Sequence, residues 1–191
     1  MRTRIVFLSA LSALAGCMGP APKAQRNWTI EWAAPSVEVQ AKPALPAARL
    51  QRLEVRAPYD GSHLAVLRAD GSLAFDAFNG FAAQPAAILR GAAFDALEAS
   101  GMFEGVVQGG SSAAAPMSVE ATVTRLALDC REKGRRDASV ALTLALVSGR
   151  EVVSTARGEA AAPTKGGDYT AAFSRAFSQA MTEAVRALNA K

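Results

Sequence analysis

Residues 140–157 read VALTLALVSGREVVSTAR, and residues 168–188 read DYTAAFSRAFSQAMTEAVRAL. The first stretch starts with alternating apolar residues, turns at Ser-Gly-Arg and returns as a second extended segment, which predicts a β-hairpin. The second begins with Asp168, a good helix N-cap, and its apolar residues recur on one helical face. Because such a face must be covered, the two stretches together predict a helix packed on a sheet.

The chain before this segment repeats the same two patterns. Pro85 opens a second amphipathic helix, and Gly101 ends it as a left-handed cap. Asp70-Gly71 joins two short strands, residues 63–67 and 72–75, as a hairpin turn. Further strands are predicted at residues 27–32, 50–56, 103–107 and 117–128, the last with a bulge or bend. We therefore expect an α+β two-layer sandwich: a mostly antiparallel sheet with two amphipathic helices on one face.

The N-terminus has the pattern of a bacterial lipoprotein signal peptide. Arg2 and Arg4 precede an apolar stretch too short to span a bilayer, and Leu14-Ala15-Gly16-Cys17 resembles a lipobox. We expect cleavage before Cys17 and attachment of a lipid anchor to its thiol. The 191 residues then divide into a signal peptide (1–16), a lipidated tether (17–26) and a single α+β domain (27–191).

The residue that follows the lipidated cysteine influences whether a lipoprotein is sorted to the inner or the outer membrane. In Gram-negative bacteria an Asp following the lipidated cysteine often retains the protein in the inner membrane, and this chain has Met18 there. We therefore expect a protein anchored in the outer membrane and facing the periplasm. The formal net charge of +4 includes Arg2 and Arg4, which cleavage removes, and no basic run remains that would indicate nucleic-acid binding.

The residues that could carry chemistry are few. The only His, His63, would need a nucleophile and an orienting carboxylate, and it fits equally well as a surface residue on an edge strand. Cys130 is the only thiol outside the lipobox; nearby Arg131 or Lys133 could lower its pKa, or it could be a half-buried small residue. We expect no catalytic residues, no metal site and no cofactor, and therefore no enzyme.

Aromatic residues suggest a different kind of site. Phe75, Phe78 and Phe81 recur every three residues, and Tyr59 lies nearby in sequence. They fit either core positions or an exposed apolar strip that meets a partner or an acyl chain. Since side chains alternate along a strand, Phe75 and Phe81 should share a face, whereas Phe78 should fall out of phase and be exposed. We name Tyr59, Phe75, Phe78 and Phe81 as candidate partner-binding residues.

The same region resembles a known family. The segments Tyr59-Asp60-Gly61-Ser62-His63-Leu64-Ala65-Val66-Leu67-Arg68, Asp70-Gly71, Phe75-Asp76, Phe81-Ala82 and Pro85 to Leu89 are similar to the signature of the ABC-type transport auxiliary lipoproteins. The resemblance extends to the Ala-Ser-Gly-Met-Phe exit of the first helix and to the long final helix.

The resemblance implies a non-enzymatic periplasmic subunit of a lipid transporter. Its partners would be a lipid-binding protein of the mammalian-cell-entry (MCE) type, an ABC permease and an ATPase, with membrane attachment through the lipid anchor. The cargo would be phospholipid or another hydrophobic molecule. An alternative from another class is an envelope lipoprotein that docks or activates a periplasmic enzyme or pore; a neighbouring ATPase and permease in the genome would favour transport.

Overall fold

Eight β-strands and two helices make up the computed structural model, which describes residues 24–31 and 43–189. The predicted signal peptide and Cys17 lie outside these residues. The helices are α1 (Pro85–Ala99) and α2 (Tyr169–Asn189). The strands are β1 (Arg26–Trp28), β2 (Ala48–Val55), β3 (His63–Leu67), β4 (Leu73–Phe81), β5 (Val106–Gln108), β6 (Met117–Asp129), β7 (Asp137–Ser148) and β8 (Glu151–Pro163).

The long strand β6 organises the sheet. One of its edges pairs along the whole strand with β7, which in turn pairs with β8. The other edge is shared: β2 pairs with residues 117–123 of β6, and β3 pairs with residues 127–129. Beyond these, β5 extends the sheet from β2, while β4 and then β1 extend it from β3.

The expectation of a mostly antiparallel sheet was wrong, because the sheet is mixed. Among the described strands the pairs β3–β4, β6–β7 and β7–β8 are antiparallel, whereas β1–β4, β2–β5, β2–β6 and β3–β6 are parallel. The antiparallel pairs join strands that follow one another in the chain, through connections of two to seven residues. The parallel pairs join strands that are separated in the chain by other elements. Turn residues in the sequence indicate only which consecutive strands form hairpins, so they could not predict the parallel pairs.

Both helices pack on one face of the sheet, as expected. Helix α2 covers β7 and β8, α1 covers β2 and β5, and the two helices contact each other. Phe173 and Phe177 of α2 and Leu89 and Leu97 of α1 are among the fully buried side chains beneath them. The predicted caps are confirmed: the Asp168 carboxylate accepts the backbone N–H of Ala171, and Gly101 has φ 62°.

The start of the domain is tied to α2. Trp28 of β1 meets Tyr169 edge-on, with ring centroids 5.3 Å apart, and the backbone N–H of Glu31 donates to Ser174 Oγ at 3.0 Å. Strand β1 is shorter than the predicted strand at residues 27–32 and begins at Arg26. As a result, the first described residues are fixed at a defined edge of the sheet, beside β4.

Candidate functional site

Strand β4 contains a large bulge, and the candidate partner-binding residues surround it. Ala65 of β3 pairs with Phe75, and His63 pairs with Gly80. Between these pairs β3 advances by two residues and β4 by five, so three residues of β4 are extra. An extra stretch of this kind interrupts the hydrogen-bond ladder and redirects the side chains around it.

Asp76 fixes the shape of the bulge. Its Oδ1 accepts the backbone N–H groups of Phe78 (2.8 Å) and Asn79 (3.0 Å), and its Oδ2 accepts the side-chain amide of Asn79 (3.0 Å). The Asn79 carbonyl oxygen Oδ1 in turn accepts the indole N–H of Trp28 at 3.2 Å. Partial burial alone would raise the pKa of Asp76, but these donors outweigh it and hold the pKa below its ordinary value of 3.8.

The bulge determines which phenylalanines are exposed. Phe75 is 53 % exposed and Phe78 is 46 % exposed, whereas Phe81 is 5 % exposed and contacts Phe173 with ring centroids 5.6 Å apart. The expectation that Phe75 and Phe81 share a face was therefore wrong. Side chains alternate between the two faces of a sheet, and the bulge adds three residues, an odd number. Residues after the bulge, including Phe81, therefore point to the opposite face from the one that simple alternation predicts. Phe81 belongs to the core and takes no part in an exposed surface.

Tyr59, the fourth candidate, is half-buried against the core in the turn that follows β2. It lies close enough to Arg131 for the two groups to interact electrostatically. The side chains named from the sequence thus separate into an exposed pair, Phe75 and Phe78, a half-buried tyrosine and a core phenylalanine.

Three connections lie at one end of the sheet, which we call the tether end. They are the β3–β4 turn (68–72), the β6–β7 loop (130–136) and the β8–α2 loop (164–168). Their positions follow from the register, since Leu67 pairs with both Leu73 and Asp129, and Asp137 pairs with Pro163. Parallel pairing of Arg26 with Asn79 places residues 24 and 25 on the Phe78 side of that pair, so the chain enters the domain from the tether end.

The tether end carries exposed cations. Asp129 accepts two side-chain N–H groups of Arg131, and Arg135 pairs with Glu132 and Asp137. These three carboxylates are therefore paired with Arg131 and Arg135. The hydrogen bond from Arg131 and its positive charge keep the pKa of Asp129 below its ordinary value, although partial burial acts to raise it. In the part of the chain that the structure describes, four exposed cations at this end form no ion pair: Arg68, Lys133, Arg136 and Lys165.

A polar depression of about 490 Å³ opens between two of these loops. Lys133, Arg136, Thr164 and Tyr169 are among the residues that line it. Its lining also includes the carboxylate of Glu132, which is paired with Arg135, so that Lys133 and Arg136 are left as unpaired cations. Such a lining suits an anionic group better than an acyl chain.

Cys130 also borders this depression, but the pKa of its thiol is raised and not lowered. It is half-buried, and burial raises the pKa of its thiol, as do the nearby Asp129 and Asp137 carboxylates; Arg136 opposes them only in part. The interpretation in which neighbouring cations lower this pKa is therefore wrong. The alternative, that Cys130 is a half-buried small residue at the end of a strand, agrees with its position.

His63 is exposed at the first position of β3, opposite Gly80. Within residues 24–31 and 43–189, no group of three or more His, Cys, Asp and Glu side chains is arranged to hold a metal ion. Neither helix in those ranges is long and apolar enough to cross a bilayer.

The opposite end of the sheet, which we call the distal end, includes the β7–β8 turn. Val152 and Val153 follow this turn and are 62 % and 52 % exposed. Two ion pairs lie on the strands between the two ends. Arg125 of β6 pairs with Glu159 of β8, and Arg52 of β2 pairs with Glu54 at 2.5 Å.

Sequence reasoning named Asp76 only within the family resemblance, and Arg131 and Lys133 of the β6–β7 loop only as neighbours of Cys130, so it missed their places in the site. Asp76 stands three residues before Asn79-Gly80, a turn signal that was read only for its aromatic neighbours. The loop reads Cys-Arg-Glu-Lys-Gly-Arg-Arg, whose mixed charges conceal which cations stay unpaired. Only the fold shows that this loop lies at the same end of the sheet as Phe75.

The described residues form a two-layer α+β domain whose chain enters beside an exposed aromatic bulge. Comparison with known proteins identifies the class. A family model described as ABC-type transport auxiliary lipoprotein component matches residues 28–189. The chain therefore belongs to the ABC-type transport auxiliary lipoprotein family, which confirms the resemblance inferred from the sequence.

Solved structures show the same fold. A Xanthomonas campestris protein described as a member of the DUF330 family is 24 % identical, with a TM-score of 0.58 over 78 % of this chain and 87 % of its own. A second, described only as an uncharacterized protein, is 11 % identical with a TM-score of 0.57, covering 85 % of this chain and 99 % of its own. No curated protein matches the sequence. Identities this low extend to the fold alone.

Proposed function

We propose that the protein is an outer-membrane-anchored accessory of an MCE-type lipid transport system. The observation that carries the proposal is the family match over residues 28–189, which associates the chain with an ABC-type transport system. The lipobox at Cys17 supplies the anchor, and Met18 favours the outer membrane. The partners are an MCE-domain protein, an ABC permease and an ATPase, and the cargo is phospholipid or another hydrophobic molecule.

The protein acts by docking and not by catalysis. Two features of the described residues support this: His63 is an exposed strand residue, and the pKa of the Cys130 thiol is raised. A docking subunit needs an anchored end and a free end. Residues 24 and 25 approach from the tether end, which is consistent with an anchor at Cys17, while the distal end carries exposed Val152 and Val153.

An epistasis experiment in the source bacterium tests this function. Deleting the gene for this chain should cause the same sensitivity to detergent and bile salts as deleting the MCE-type gene, and the double deletion should be no worse than either. Complementation should require Cys17, so wild type should restore resistance and Cys17→Ala should not. An additive defect in the double deletion would contradict a shared pathway. In that case the alternative, docking to a different envelope enzyme or pore, would take its place.

A further inference from the structure

The tether end combines two properties that recur where proteins rest on membranes. Phe75 and Phe78 project from the Asp76 bulge with about half of each side chain exposed. Among the described residues, the exposed cations Lys133, Arg136 and Lys165 lie on the β6–β7 and β8–α2 loops at the same end of the sheet and form no ion pair. Arg136 is close enough to Asp76, in the bulge, for the two groups to interact electrostatically. Interfacial binding strengthens with the apolar area buried and with attraction to anionic lipids.

The length of the tether places this surface close to the bilayer. Six residues separate Cys17 from Ala24, the first described residue, and the seven Cα–Cα steps between them cover at most about 25 Å when the chain is fully extended. Residues 24 and 25 lie on the Phe78 side of the Arg26–Asn79 pair. An anchor at Cys17 therefore holds the bulge within reach of the headgroups, whereas Val152 lies at the other end of the long strands β7 and β8.

We propose that Phe75, Phe78 and the exposed cations of the β6–β7 and β8–α2 loops form a membrane-contacting surface that rests on the headgroups of an anionic phospholipid bilayer. The two phenylalanines enter the interface, while Lys133, Arg136 and Lys165 face the lipid phosphates. The polar depression beside Tyr169 receives headgroup oxygens. This inference rests on the proposed function through the anchor at Cys17. It adds a second contact, which orients the domain with its distal end toward the periplasm.

A fluorescent probe between the two phenylalanines tests the contact. Ala77 is exposed, so Ala77→Cys in a Cys130→Ser background can be labelled with an environment-sensitive dye while Phe75 and Phe78 are kept. The full lipidated chain is reconstituted into vesicles of phosphatidylethanolamine and phosphatidylglycerol that carry nitroxide-labelled lipid. The matched control has the dye at Val152→Cys, at the distal end.

We expect the Ala77 probe to lose most of its emission to the nitroxide lipids and the Val152 probe to keep its emission. Replacing both phenylalanines in the Ala77 variant, as Phe75→Ser with Phe78→Ser, should restore the emission. Replacing phosphatidylglycerol with phosphatidylcholine should restore part of it. If the two probe positions on floating vesicles lose the same fraction of their emission to the nitroxide lipids, the proposal is overturned. The exposed surface would then be assigned to a protein partner.

Flotation separates failure of this contact from failure of the anchor. A chain that floats with the vesicles but shows no quenching at Ala77 has its anchor and lacks the contact. A chain that does not float, and whose Cys17 reacts with the dye, has no anchor, and the proposed function then fails first.

Discussion

At the scale of single residues, Asp76 has the largest local effect on the surface. Three hydrogen bonds to its carboxylate hold three extra residues of β4 in one conformation, which exposes Phe75 and Phe78 and directs Phe81 into the core. Strand alternation was enough to predict that Phe78 is exposed. It failed for Phe75, because the count of residues between the phenylalanines cannot reveal a bulge of odd length.

Substituting Asp76 tests this arrangement. We expect Asp76→Ala to lower the free energy of unfolding by about 1–2 kcal/mol at neutral pH, since backbone donors lose a charged acceptor on a partly exposed strand. Asp76→Asn keeps an acceptor oxygen and should lose less. Urea denaturation of the three purified, unlipidated proteins measures the differences. Equal stability of wild type and Asp76→Ala would show that the bulge does not depend on this carboxylate.

The same variants should differ in their response to acid. Because the folded pKa of Asp76 is lowered, its contribution is fully present above the unfolded value and is lost as the pH falls through the folded value, below 3.8. The gap between wild type and Asp76→Asn should therefore narrow when denaturation is repeated below that pH. A gap that stays constant would mean that the charge of Asp76 has no part in stability.

Phenylalanine-to-alanine variants distinguish the core from the surface. Phe81→Ala should cost about 3–5 kcal/mol, because it empties a packed site against Phe173. Phe75→Ala and Phe78→Ala should each stay within about 1 kcal/mol of wild type, as exposed positions usually do. Thermal melts of the three variants measure these differences in stability. Early melting of Phe78→Ala would place that ring in the core and remove the basis for an exposed aromatic surface.

At the scale of elements, sequence patterns predicted the pieces better than their arrangement. Both helices, their caps at Asp168 and Gly101, and the β3–β4 and β7–β8 hairpins could be predicted, because each depends on residues close in sequence. The shift of phase in β6 also appears, as a register change between Val123 and Arg125. The parallel pairing of β6 with β2 and β3 was not readable, since it depends on which distant strands share one edge.

Gly158 shows how closely α2 approaches the sheet. A Cβ built at this position of β8 would overlap the backbone carbonyl oxygen of Ala180, which cannot move aside as a flexible side chain can. We expect Gly158→Ala to lower stability by about 1–3 kcal/mol through overpacking. Gly91→Ala is the matched control, because a Cβ there meets nothing within 4 Å and alanine favours a helix. A Gly158→Ala protein as stable as Gly91→Ala would contradict this packing.

At the scale of the whole molecule, the fold has two unlike ends. The tether end holds the chain entry, the aromatic bulge and exposed cations, and the distal end holds Val152 and Val153. The sequence predicted an anchored domain, because the lipobox is local and fixed in position. It could not predict that the cationic β6–β7 loop lies at the same end of the sheet as the β3–β4 turn, because this depends on the parallel pairing of β3 with β6.

The anchor itself gives a whole-chain prediction. Cys17→Ala should accumulate as unprocessed precursor held at the inner membrane by its uncleaved apolar stretch. Wild type should partition into the detergent phase and show a mass increased by its acyl chains. Phase separation with Triton X-114 and intact-mass spectrometry measure both. A soluble, unmodified wild-type protein would refute lipidation at Cys17 and the outer-membrane location with it.

Affinity purification from separated outer membranes tests the central claim most directly. Tagged wild-type protein is crosslinked in intact cells and then isolated, and its co-purifying proteins are identified by mass spectrometry; an unrelated tagged outer-membrane lipoprotein is the control. We predict specific recovery of an MCE-domain protein, with its permease and ATPase at lower yield. Recovery of no MCE-type subunit, or the same recovery with the control lipoprotein, would contradict the assignment to a lipid transport system.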